Sequence, residues 1–201
     1  MDCVTRHNEV CLCGAVAAAP VKSHINRGVQ FYTMPLDVAR LSGVIDRLNI
    51  ILPGILACGT NISEGMRLCV KGQVRSYNNR SGVGSRLVIS VLARQIESWE
   101  GEDENVVCLM GVLCKEPNLR VTPLGREICD IMLAVNRSYS RSDYLPCIAW
   151  SGSARDIACM DVGDKLSITG RLQSRLYIKN TGDESVEKTA YEISVLSYAA
   201  V

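Results

Sequence analysis

One stretch of this chain lies over another at a constant offset of 97 residues, and that repeat limits what the chain can fold into. Asn8-Glu9-Val10-Cys11-Leu12-Cys13-Gly14 matches Asn105-Val106-Val107-Cys108-Leu109-Met110-Gly111. Without a gap, Pro20 falls on Pro117, Gly28 on Gly125, Leu36 on Leu133, Val38 on Val135, Arg40 on Arg137, Asp46 on Asp143 and Ile51 on Ile148. One slip then aligns Gly65, Leu68 and Gly72 with Gly163, Leu166 and Gly170, and Ile89-Ser90-Val91-Leu92 returns as Ile193-Ser194-Val195-Leu196. Two copies of one module must therefore share the 201 residues, a natural size for small domains.

The module is a β-structure. Val106, Cys108 and Met110 alternate with Val107, Leu109 and Gly111, the Pro123-Leu124-Gly125 turn follows, and residues 128–135 resume an apolar strand. Each copy is expected to hold a first strand (10–16, 106–112), a second after Gly28 or Gly125, and a third ending near Pro53 or Trp150. A short helix at 54–62 or 153–160 comes next, then a hairpin of 67–77 with 86–94, or 165–179 with 188–197. The divisions expected are 1–97, an acidic linker at 98–104, and 105–201.

The second copy resembles the bacterial single-stranded DNA-binding protein family. The resemblance rests on the N-x-V-x-L-x-G opening at Asn105, E-P-x-L-R at Glu116, T-P-x-G at Thr122, L-A-V-N-R at Leu133 and G-R-L-Q-S-R-x-Y at Gly170, in order over roughly residues 105–196. It implies an all-β chain of two tandem OB-folds, five-stranded Greek-key barrels each with a short helix. The first copy is the divergent one.

A single strand is held without sequence readout by bases stacking on aromatic rings and phosphates lying along basic groups. Laid on the family pattern, the stacking rings fall at Tyr139, Tyr144, Trp150 and Tyr177, and Arg137, Arg141, Arg171, Arg175 and Lys179 lie beside them in sequence. Trp150 closes an apolar strand and reads as readily as core. In the first copy Tyr139, Tyr144 and Trp150 are replaced by Ser42, Arg47 and Pro53, and only Tyr77 keeps a ring. Arg40 and Arg47 remain there to meet phosphates, with few platforms for bases.

The resemblance also implies four OB-folds acting together, so a chain carrying two is expected to form a homodimer. The chain ends at Tyr198-Ala199-Ala200-Val201, without the acidic tail usual in the family, so no tail-mediated recruitment of repair enzymes is expected. Sequence-tolerant binding of single-stranded DNA in replication, recombination or repair is the expected function. The alternative is a non-catalytic assembly protein, primosome-like or accessory to a mobile element, with weak or no DNA binding. The 22 basic and 21 acidic residues give that alternative some weight, since a nucleic-acid-binding chain is commonly basic; residues 1–100 carry +4 and residues 101–201 carry −3.

No catalytic order of Ser, His and Asp and no phosphate loop is present, so an enzyme is not expected. The start, MDCVTRHNEV, lacks the apolar run of a signal peptide, and residues 50–58 are broken by Pro53-Gly54. A membrane span needs about 20 apolar residues, so a cytoplasmic protein is expected. The ten cysteines sit within strand patterns, with Cys11 and Cys13 on one strand face and no C-x-x-C pair. They read as reduced structural thiols, with no metal and no cofactor.

Overall fold

The computed structural model describes residues 7–79, 85–138, 141–181 and 184–201. In the first copy β1 (Asn8–Val16), β2 (Val21–Asn26), β3 (Val29–Ala39), β4 (Ile45–Pro53), α1 (Gly54–Gly59), β5 (Arg67–Asn78) and β6 (Leu87–Ser98) follow in order. The second copy repeats them as β7 (Glu104–Leu113), β8 (Asn118–Val121), β9 (Glu127–Arg137), β10 (Arg141–Trp150), α2 (Ser151–Ala158), β11 (Lys165–Thr181) and β12 (Glu184–Ala200). The strands are ordered β2-β3-β4-β6-β5-β1 and β7-β11-β12-β10-β9-β8. Each set closes on itself, β1 on β3 and β7 on β9. Both copies are OB-fold barrels, as the resemblance implied.

Barrel closure repeats residue for residue. Ala15 pairs with Asp37 and Val16 with Leu36; 97 residues on, Val112 pairs with Ala134 and Leu113 with Leu133. Two glycines make the tight corners possible. A Cβ at Gly72 or Gly170 would come within 3.0 Å of the carbonyl oxygen of Leu92 or Ser194, so only a residue without a side chain lets the hairpin strands pass. Gly170 also sits at a register shift in the β11–β12 ladder, where the strand can bend.

Burial follows the period of two that a strand imposes. Val10, Leu12 and Val16 of β1 are buried with Met34, Leu36 and Val38 of β3 and Leu48, Ile50 and Leu52 of β4. Leu109, Leu133, Leu145, Leu166, Ile168 and Leu172 fill the second barrel, each such side chain stabilising it by about 1.5–3 kcal/mol. α2 buries Ala154 and Ile157, three residues apart and so on one helix face. α1 buries none of its residues.

Two expectations are corrected. Each copy has a sixth strand, β2 or β8, whose residues are all exposed and whose apolar residues are few, Val21 and Ile25 in one and Leu119 and Val121 in the other. One helix is shorter and the other is shifted: α1 stops at Gly59, and α2 begins at Ser151, whose φ of 51° turns the chain out of β10. The acidic join is held in place: Trp99 donates its backbone N–H to Arg67 O at 3.1 Å, and Asp103 accepts from Arg67 and from the Ala39 N–H, each at 2.6 Å.

By internal contacts the chain forms two compact units, one of Glu9–Arg75 and Ile89–Val106, the other of Met1–Asn8, Ser76–Val88 and Val107–Val201. The second unit thus takes in the end of the β5–β6 hairpin. No helix among the described residues is long and apolar enough to cross a membrane.

Candidate nucleic-acid interface

Strand alternation sorts the candidate residues of the second unit by face. Along β10, Asp143, Leu145, Cys147 and Ala149 are buried, so Tyr144 and Trp150 share the opposite face, separated by about 20 Å of strand. β12 runs parallel to β10 with Ile148 opposite Ser194, and Ser194 is opposite Arg171 of β11. Cross-strand partners share a face. The face of Tyr144 and Trp150 therefore continues through Ser194 to Arg171, Arg175 and Tyr177, which alternate along β11. The Trp150 indole N–H donates to Ser194 Oγ at 3.0 Å, pinning the half-buried ring with one edge on that face. Tyr144 is 50% exposed.

The guanidinium groups differ in what they are free to do. Arg141 is exposed. Arg175 is exposed and lies 3.7 Å from a Glu192 oxygen, a loose surface pair of little strength. The Nε of Arg171 is buried and has no hydrogen-bond partner among the described residues. Arg137 is otherwise engaged: it grips the Asp143 carboxylate through two nitrogens and donates to Ser76 O at 2.8 Å. Asp143 is fully buried and also accepts the Ser76 backbone N–H, while Ser76 Oγ accepts the Tyr144 N–H at 2.7 Å. Arg137 is a clamp beneath the face more than a donor on it. Tyr139 lies outside the described residues, as does the side chain of Lys179.

The first copy repeats the clamp. Arg40 grips Asp46, which is 1% exposed, at 2.7 and 2.6 Å. Arg47 is held by both oxygens of Asp37 at 2.8 and 2.7 Å. Both arginines read as phosphate contacts are thus partly neutralised by a carboxylate. Tyr77 is 57% exposed and belongs to the second unit, next to Ser76.

Sequence reasoning missed a platform in the first unit. His24 of β2 and Phe31 of β3 stack with ring centroids 5.0 Å apart and planes 3° from parallel. The only phenylalanine near one of two histidines across an expected turn was the available signal. It also missed a third thiol. Cys69 on β5 is opposite Cys13 on β1, and the Cys13 and Cys69 sulfurs are 2.9 Å apart, with Cys11 Sγ 3.6 Å from Cys69 Sγ. Burial pushes the Cys11 thiol up to about 11 and raises Cys13 well above its ordinary value, so these thiols are neutral at physiological pH. That makes them poor nucleophiles.

Residues 104–200 match the Single-strand binding protein family. Single-stranded DNA-binding protein 2 of Listeria monocytogenes is 35% identical over 85 residues, covering 39% of this chain and 53% of that protein. Single-stranded DNA-binding protein B of Bacillus subtilis is 35% identical over 85 residues, covering 39% of this chain and 75% of that protein. The chain thus spans about half the length of the Listeria relative. The wild-type single-stranded DNA binding protein from Thermus aquaticus superposes with a TM-score of 0.78 at 26% identity, over 96% of this chain and 92% of that one.

Proposed function

Because this chain belongs to the Single-strand binding protein family, we propose that it binds single-stranded DNA without reading sequence. The observation that carries this is the single face shared by Tyr144, Trp150, Arg171, Arg175 and Tyr177. Rings spaced along β10 and β11 offer stacking surfaces to successive bases, and guanidinium groups between them meet the phosphates. The first unit, with Arg40 and Arg47 held by carboxylates, contributes less to phosphate binding and more to the scaffold. Such binding serves replication, recombination or repair in the cytoplasm and involves no catalysis.

Fluorescence titration with labelled oligo-dT at low and high salt tests it. Affinity falls as salt rises, because each phosphate neutralised releases counterions. No binding at low salt rejects the reading and favours a purely structural protein.

Two OB-folds per chain further support a homodimer with four OB-folds. Light scattering on the purified protein is expected to give about twice the chain mass of 22.0 kDa. A monomer mass across the micromolar range rejects the dimer.

A further inference from the structure

We propose that Cys11, Cys13 and Cys69 bind one thiophilic monovalent cation, copper(I), in a three-sulfur site on the first unit. The geometry is set by the backbone. Cys11 and Cys13 are two apart on β1 and so lie on one face, and the β1–β5 register puts Cys69 directly across from Cys13. All three sulfurs lie within 4.8 Å of one another, with separations of 2.9 and 3.6 Å to Cys69. Three sulfurs about 2.3 Å from a central ion in a plane are about 4 Å apart, so small side-chain rotations suffice to admit one. Cys13 and Cys69 are buried while Cys11 is partly exposed, which leaves an entry path from solvent.

The donor set selects the ion. Thiolate sulfur favours soft cations such as copper(I), and three-coordinate sulfur satisfies it. A structural zinc(II) site takes four ligands, whereas the group among the described residues is three sulfurs, with Glu104 Oε2 4.0 Å from Cys13 Sγ. Loading displaces the thiol protons to solvent as the copper–sulfur bonds form, with no change in oxidation state. Lys71 is the register partner of Cys11 on the neighbouring strand and is paired with Glu97 at 3.6 Å.

The full-length reduced protein is titrated anaerobically with copper(I) against a chromophoric copper(I) chelator. One equivalent is expected to transfer to the protein, with a new sulfur-to-copper charge-transfer absorption in the near ultraviolet. Cys13→Ser and Cys69→Ser abolish the transfer; Cys58→Ser and Cys159→Ser, at exposed thiols, leave it unchanged. Alkylation followed by mass spectrometry reads the wild-type protein alone, and one equivalent is expected to slow labelling of Cys11 at least tenfold. No transfer, transfer that survives Cys69→Ser in a folded protein, unprotected Cys11, or uptake of zinc(II) in preference to copper(I) overturns the proposal.

Discussion

Arg137→Ala lowers the melting temperature by about 6–20 °C, through the loss of about 3–5 kcal/mol that follows when one partner of a buried ion pair is removed. The carboxylate left behind is Asp143, which has no exposed surface. The Ser76 N–H also donates to it, but losing the guanidinium removes the opposite charge that offsets a carboxylate in the interior. The reverse change, Asp143→Ala, is milder, because Arg137 is 24% exposed and its charge reaches water. Arg40→Ala in the first copy is expected to parallel Arg137→Ala, since Asp46 is 1% exposed. Replacing Arg137 and Asp143 together by apolar residues recovers part of the loss. It does not recover all, because the Ser76 N–H then loses its acceptor. Differential scanning calorimetry of these variants checks the order. If Arg137→Ala melts with the wild type while weakening oligo-dT, then Arg137 is a phosphate contact and the clamp is incidental.

That clamp is legible in the sequence as a repeated pair. Arg40 and Asp46 recur as Arg137 and Asp143 with the same spacing of six, and a pair repeated together signals a shared structural task as much as a shared ligand. What the repeat did convey was the barrel. A gapless offset through the first three core strands requires matching register, and the closures at Ala15–Asp37 and Val112–Ala134 match. Helix ends were harder. Their signals are local, and neither N-cap residue, Pro53 or Trp150, makes a side-chain capping bond that would have marked the start. β2 and β8 were weakly marked: Val21 and Ile25, and Leu119 and Val121, stand at even spacing, but in runs of only six and four residues.

The face itself was half visible. Arg171, Arg175 and Tyr177 stand at even spacing and had to share a side of β11, as did Tyr144 and Trp150 on β10. Joining the two sets depends on the parallel pairing of β10 with β12, a contact between strands far apart in sequence. The same holds for Cys69. A metal search over sequence neighbours sees Cys11 and Cys13, while the third sulfur arrives through the β1–β5 ladder.

Tyr144→Ala and Tyr177→Ala are each expected to weaken oligo-dT binding by about 5- to 100-fold, from the 1–3 kcal/mol that stacking a base on an aromatic ring contributes. Tyr77→Ala is expected to do less, because it lies outside the segment matched to the family. Its place beside Ser76, which accepts the Tyr144 N–H, nevertheless makes it the informative comparison. The ring effect persists at every salt concentration. Arg141→Ala chiefly flattens the salt slope, since what it removes is an electrostatic contact. Tyr144 is half exposed, so its truncation leaves the melting temperature near the wild-type value, and a large drop would assign the ring to packing instead. If Tyr77→Ala proves the most damaging of the three in a folded protein, the base platform is centred on the end of β5 and not on β10 and β11.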